Sequence, residues 1–271
     1  MTALTSSGFL TIGASELEYR MIGPQPNEAP TIIMLHEGLG SAALWGDFPD
    51  KLQAATGAGV FAYSRAGYGA STPVKLPRPL DYMQIEAIEV LPKLLGAVGF
   101  RRGLLLGHSD GASIAAIYAG AHQDRRVEGV ALIAPHFIVE EVSVASIAEI
   151  KTAYETTPLK AKLSRWHKDV DNAFYGWNGA WLDPKFRAWD ISDYLAYIRV
   201  PLAIVQGADD QYGTIRQIEI AREECYCPVE VTLINDAGHQ PHREAPGATL
   251  NAISEFANAI LHAPGSPGWA A

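Results

Sequence analysis

The stretch Gly107-His108-Ser109-Asp110-Gly111 stands between two segments of different character. Ahead of it, Arg102-Gly103-Leu104-Leu105-Leu106 is a short apolar run that reads as a buried strand. Behind it, Ala112-Ser113-Ile114-Ala115-Ala116-Ile117-Tyr118-Ala119 is small and apolar at helical spacing. A G-x-S-x-G pentapeptide between a strand and a helix is the sharp turn that presents a serine hydroxyl as a nucleophile. The two glycines permit a turn that a Cβ at either position would obstruct. Such a turn lifts the Ser109 hydroxyl off the sheet and sets it near a helix N-terminus. Unpaired backbone N–H groups there favour developing negative charge.

Outward from this turn the chain keeps a regular rhythm. Residues 9–12 and 17–22 have β character and are joined by Gly13-Ala14-Ser15, the pattern of a hairpin. Pro24, Pro26 and Pro30 then interrupt any regular element. Residues 31–35 and 59–63 are apolar runs of the kind buried on both faces of a parallel sheet, with a helix expected over 42–55 between them. A long amphipathic helix is expected over 81–98, strands over 127–134, 202–206 and 229–234, and a last helix over 249–262. Strands alternating with helices in this way predict an α/β fold, a mostly parallel central sheet with helices on both faces.

One interval breaks the rhythm. Residues 137–199 carry no central-strand signal but hold Trp166, Trp177, Trp181 and Trp189, four of the chain's six tryptophans, with Tyr154, Tyr175, Tyr194 and Tyr197. A helical insertion that packs on the end of the sheet through aromatic surfaces is expected there, part of it lining a pocket. The expected division is therefore a core of 1–136 and 200–271 and a helical cap, or lid, over 137–199.

Bulk properties narrow the classes. A chain of 271 residues with 48% hydrophobic and 19% charged residues suits one large domain with a sizeable core. A formal charge of −9 disfavours nucleic acid or an anionic membrane as partner. No leader-like or bilayer-length apolar stretch is visible, and Cys225 and Cys227 offer too few ligands for a zinc site, so a reducing, cytoplasmic setting is expected.

A serine nucleophile needs a base, and the base an orienting acid. His239 follows the last strand directly in Asp236-Ala237-Gly238-His239, where a side chain can reach back over the sheet. His108 is expected to pack beneath the turn, and His122, His167 and His262 to sit in solvated helical contexts. His242, three residues beyond His239, suggests a metal pair, but no third ligand is evident and no metal is expected. His136 stands at the junction of sheet and insertion, facing the pocket. The acid belongs in Gly207-Ala208-Asp209-Asp210, with Asp210 preferred and the other aspartate a turn residue. Backbone amides must hold the oxyanion. One is expected from Asp110, the other from the loop Leu35-His36-Glu37-Gly38-Leu39-Gly40.

These landmarks, taken in order, resemble the α/β-hydrolase fold superfamily in its serine-nucleophile branch. His36-Glu37-Gly38-Leu39-Gly40 is similar to that family's H-G-x-x-G loop, and Ser64-Arg65-Ala66-Gly67-Tyr68-Gly69-Ala70-Ser71 to its D-x-x-G-x-G-x-S turn, with Ser64 in place of aspartate. Gly207-Ala208-Asp209-Asp210 resembles its acid loop, and Gly238-His239 with Glu244 and Pro246 its C-terminal signature. The resemblance implies Ser109, Asp210 and His239 as catalytic residues and Gly38 and Asp110 as oxyanion donors. Two departures stand out: Glu37 replaces a glycine, and Asp110 puts an acid beside the nucleophile. Both carboxylates are expected to point into solvent or to cap the helix; facing the pocket, either would disfavour anionic substrates. Glu37, Leu39, His136 and Trp177 are the candidates for the pocket wall.

The function expected is a cofactor-independent serine hydrolase acting on a small or medium carboxylic ester. Carbon–carbon bond hydrolysis, lactonase, thioesterase and amidase activity use the same residues, and a non-catalytic small-ligand receptor is the alternative of another class. Related dehalogenases and epoxide hydrolases use an aspartate nucleophile, which Ser109 argues against. The partner expected is a small acyl compound, with no nucleic acid and no membrane; the oligomeric state stays open between a monomer and a homodimer.

Overall fold

A computed structural model describes residues 3–262. Residues 1–2 and 263–271, the ends of the expected core, lie outside the described residues. Strands β1 (Ser7–Ile12), β2 (Ser15–Ile22), β3 (Thr31–Leu35), β4 (Gly59–Tyr63), β5 (Gly103–His108), β6 (Val127–Ile133), β7 (Leu202–Gly207) and β8 (Val229–Ile234) form one sheet. Their order is β1-β2-β4-β3-β5-β6-β7-β8. Pairing is antiparallel from β1 through β2 to β4 and parallel everywhere else, with Ile33 opposite Leu105 and Leu105 opposite Val130. Every residue of β3, β4, β5 and β7 is buried, as continuous apolar runs require when helices cover both faces.

The covering helices follow the expectation with three informative differences. The first, α1, spans only Phe48–Thr56, because Gly46 adopts a left-handed φ of 62° and Pro49 opens a new helix. The stretch over 81–98 divides into α2 (Tyr82–Ile85), a π turn (Glu86–Val90) and α3 (Leu91–Val98). Pro92 lacks an N–H and crowds the preceding turn, and the wider turn absorbs the misfit. After α4 (Asp110–His122) and α9 (Arg216–Glu224), the short α10 (Pro241–Glu244) leads into α11, which spans Pro246–Leu261 and starts earlier than expected because Pro246 is preset for a first helical position. One face of the sheet packs Leu91, Leu95 and Ile117 over Leu105 and Val130. The other packs Leu52 and Phe256 over Ile32, Val60 and Leu106.

Between β6 and β7 the chain forms α5 (Glu141–Thr156), α6 (Leu159–Leu163), α7 (Val170–Trp181), a 3-10 turn (Pro184–Ala188) and α8 (Ser192–Leu195). Among the described residues this segment adds no strand to the sheet, only an isolated bridge between Ile138 and Asp190. Its aromatics pack in two groups. Tyr154 stacks on Phe174 at 3.6 Å, and Trp181, Phe186 and Trp189 meet at 5.0–6.3 Å. Tyr175 is exposed but sets its ring edge-on to Tyr154 and Phe174 at 5.7 Å and 5.4 Å, while Trp166 and Tyr197 stay exposed. Among the described residues no helix is long and apolar enough to cross a membrane.

Parallel strands place their following loops at one end of the sheet. The loops after β3, β5, β7 and β8 therefore converge, with β5 in the middle, where ligands bind on open α/β sheets.

Candidate active site

Ser109 sits between β5 and α4 with φ 53° and ψ −118°. A non-glycine residue with positive φ is strained by roughly 1–3 kcal/mol and persists only where its surroundings enforce it. They do so here by close approach: a Cβ on Gly107 would overlap the Gly111 carbonyl, and one on Gly111 the Leu35 carbonyl. The Ser109 N–H donates to the Ile133 carbonyl at 2.9 Å, which ties the turn to β6.

His239 Nε2 lies 2.9 Å from Ser109 Oγ, and His239 Nδ1 lies 2.9 Å and 3.0 Å from the two carboxylate oxygens of Asp210. A carboxylate only accepts, so Nδ1 carries the ring proton and Nε2 offers its lone pair to the serine hydroxyl. Asp210 is fixed by the Tyr212 amide at 2.7 Å and by the Gln206 side chain at 2.6 Å. Burial pushes the Asp210 carboxyl up, but contact with His239 and the Tyr212 amide outweighs this and holds it below its ordinary range. Asp209 is exposed, and its amide donates to the Ala237 carbonyl at 2.9 Å. The turn that carries His239 is held by Glu244, whose carboxylate accepts the N–H groups of Gly238 at 2.5 Å and Gln240 at 3.2 Å.

Gly38 stands in the loop after β3, with the Trp177 indole so close that a Cβ there would overlap it. Among the described residues no group accepts the Gly38 N–H. Asp110 is the first residue of α4, ahead of the helix's own hydrogen-bond ladder. A cavity of about 220 Å³ opens over Ser109 and His239, with Leu39, His136, Trp177 and Trp181 in its wall. A larger one, about 440 Å³, lies between Tyr118, Arg125 and Arg199 and holds none of the expected site residues.

The expectation for the two unusual carboxylates is corrected. Asp110 neither caps the helix nor reaches solvent; its side chain is wholly buried. It accepts from Tyr82 Oη at 2.5 Å and Trp181 Nε1 at 3.2 Å, and Arg65 lies 3.8 Å away. Burying a carboxylate is costly unless it is paired and hydrogen-bonded, and both conditions are met. Glu37 lines the cavity, its side chain 16% exposed and 3.4 Å from His108 Nδ1. Tyr82 and Gln206 carried no motif-level signal, Arg65 fell at a variable position of the turn over 64–71, and none of the three was expected at the site.

The histidines divide as follows. His108 packs beneath the turn, its Nε2 2.8 Å from the His239 carbonyl. His136 is buried in the cavity wall, and burial pushes its imidazole down to about 3, so it is neutral. His167 is not a solvated helical residue but a buried strut: it accepts from the Gly69 amide at 3.0 Å and donates to the Leu39 carbonyl at 3.0 Å. His242 packs its ring on Trp45 and His108. Among the described residues no group of three or more metal-ligating side chains comes together.

The model of the alpha/beta hydrolase family matches residues 32–253. The chain belongs to this family, which makes it a hydrolase. No curated protein matches its sequence. In structure it is similar to a carboxylesterase of Nitrososphaera gargenis, at 17% identity and a TM-score of 0.76 over 93% of this chain and 98% of that one. It is also similar to a proline iminopeptidase of Mycobacterium smegmatis (20%, TM-score 0.74, 95% and 99%). The enol-lactonase of Burkholderia xenovorans LB400 is a third neighbour (20%, TM-score 0.71, 92% and 99%). At such identities the likeness is one of fold.

Proposed function

We propose that this protein is a cofactor-independent serine hydrolase that cleaves a small or medium carboxylic ester through an acyl-enzyme. The observation that carries the reading is the unbroken line from the Ser109 hydroxyl through His239 to Asp210, built on a strained turn at the head of a helix. Ser109 attacks the ester carbonyl while His239 takes its proton. Asp210 holds the imidazole in the tautomer that leaves Nε2 free to accept. The amides of Gly38 and Asp110 receive the oxyanion, the second aided by the positive end of α4. His239 returns the proton to the departing alcohol, and water then attacks the acyl-enzyme by the same steps reversed.

The helices between β6 and β7 act in this reading as a lid over Ser109. Leu159, Leu163, Ile147 and Trp177 give the cavity an apolar wall suited to an apolar acyl or alcohol body. Each buried methylene contributes about 0.8 kcal/mol, so kcat/KM rises with chain length until about 220 Å³ is filled.

Chromogenic esters of graded acyl length test the reading. Ser109→Ala lowers kcat by roughly three orders of magnitude or more, and a serine-reactive phosphonate labels Ser109. Asp210→Asn costs far more activity than Asp209→Asn while the fold persists. Labelling of another serine, or an alanine variant with near-normal turnover, removes Ser109 from the role. A wild-type protein that binds esters without turnover is instead a receptor.

A further inference from the structure

Glu37 is a strange residue to find immediately before an oxyanion amide. A carboxylate there opposes the negative charge that the amide is meant to receive. The arrangement beneath it removes the conflict. His108 Nε2 stands 2.8 Å from the His239 carbonyl, which can only accept, so Nε2 carries a proton. The other ring nitrogen, Nδ1, has no hydrogen-bond partner among the described residues and faces Glu37 Oε2 at 3.4 Å. If Nδ1 were bare, its lone pair would point at a carboxylate inside the protein, an arrangement that is repulsive at every separation. A proton between the two groups makes the same geometry attractive.

We propose that Glu37 and His108 hold one proton between them, and that this electrically neutral pair is what permits a carboxylate in the oxyanion loop. The inference rests on the serine-hydrolase reading for its kinetic consequence but not for the proton itself. His108 is then a positioning residue: it clips the loop after β3 to the nucleophile turn, and its Nε2–H holds the backbone of His239. The other groups facing the pair do not supply the missing charge. Burial pushes both His36 and His242 well below the ordinary imidazole range, which leaves them neutral. His239 shares its own ring proton with Asp210. Arg65 reaches the Glu37 backbone carbonyl at 2.9 Å and is paired with Asp110. Arg243 stands exposed at the rim, its guanidinium on the Leu44 carbonyl. Burial works to raise the Glu37 carboxyl, yet the contact with His108 holds it below the carboxylate range, which places the proton on the imidazole side.

Two readouts separate this inference from the hydrolase reading. The first is nitrogen-15 NMR of the His108 ring in the intact protein at pH 7. Nδ1 carries a proton in the wild type and loses it in Glu37→Gln. A bare Nδ1 in the wild type, or no change in the variant, overturns the pair whatever the enzyme does. The second is the pH profile of kcat/KM for a chromogenic ester. As pH rises the pair loses its proton, an uncompensated charge appears beside the oxyanion, and activity falls; in Glu37→Gln that alkaline fall disappears. His108→Gln keeps a donor for the His239 carbonyl but strands the Glu37 charge, lowering kcat tenfold or more with little change in KM. The double variant recovers most of that loss. Superimposable profiles for wild type and Glu37→Gln, or a double variant no better than His108→Gln, overturn the proposal. If no ester is turned over at all, the hydrolase reading falls and the NMR result still decides the pair.

Discussion

Asp110 and Glu37 both stand near Ser109, and the fold treats them in opposite ways. Asp110 is sealed: no part of its side chain reaches solvent, two hydrogen bonds and a guanidinium surround it, and the partners come from three separate stretches of chain. Glu37 opens on the cavity, with a single imidazole at 3.4 Å. The tryptophans divide along the same line. Both reach the cavity wall, but Trp181 donates to Asp110 and packs on Phe186, whereas Trp177 lies against Gly38. A carboxylate that is fully paired stiffens the frame of a site. One left half-paired at a cavity is available to the chemistry.

The largest expected effect comes from opening the sealed side. Asp110→Asn leaves Arg65 buried with no carboxylate within 4 Å among the described residues, and breaking such a pair costs about 3–5 kcal/mol. For a chain of this size the thermal midpoint falls by roughly 10 °C. Glu37→Gln moves it by no more than about 2 °C, since the group is partly exposed and its partner keeps its backbone anchor. Adding Arg65→Met to Asp110→Asn recovers part of the loss, because the stranded charge is then gone. Equal midpoints for the Asp110 and Glu37 variants would erase the distinction.

The two sides also differ in how far the sequence revealed them. Ser109, Asp210 and His239 were legible because each follows a strand of a parallel sheet, and such a sheet delivers its loops to one end. The central strands were legible as apolar runs, and the alternating edge strand was expected at the bounds the structure shows, 229–234. Asp110 was misread because a polar residue at a helix start normally caps it; nothing local shows that Arg65, Tyr82 and Trp181 will converge there. His167 failed for the same reason, since its partners Gly69 and Leu39 lie about a hundred residues away. The short α1 and the π turn were missed because an amphipathic period does not register where Gly46 and Pro92 force the backbone to change course.

Acid titration probes the buried part of the cavity wall next. His136 is neutral in the folded protein down to about pH 3, while in the unfolded chain it takes up a proton near its ordinary value. Its contribution to stability is thus complete above about pH 6.5 and lost progressively below, at about 1.4 kcal/mol per pH unit. His136→Gln flattens the fall of denaturant stability between about pH 6.5 and 5 by that slope. An unchanged slope means that His136 is solvated or charged in the native state.

The tryptophans should separate by readout. Trp181→Phe keeps the ring stack but removes the donor to Asp110, costing about 1–2 kcal/mol of stability with little change in substrate ranking. Trp177→Ala enlarges the cavity and moves the preferred acyl length upward. If Trp177→Ala leaves the ranking of esters untouched, the lid does not read the substrate through this residue.

The smallest effect concerns the charge of the substrate, and it follows from Glu37 being compensated rather than bare. A lone carboxylate about 6 Å from an anionic ester would repel it by about 1–2 kcal/mol at an effective dielectric of roughly 40. With a proton on the His108 side the net charge is zero and only a dipole acts, so discrimination between an anionic ester and its neutral isostere is about threefold near neutral pH. As the pair loses its proton the full charge emerges, and the preference for the neutral ester grows toward tenfold. Glu37→Gln holds the ratio constant across the same range. A ratio of kcat/KM values that does not change with pH in the wild type would show Glu37 to be either always bare or always neutralised. The separation of a sealed and a responsive carboxylate would then reduce to one of burial alone.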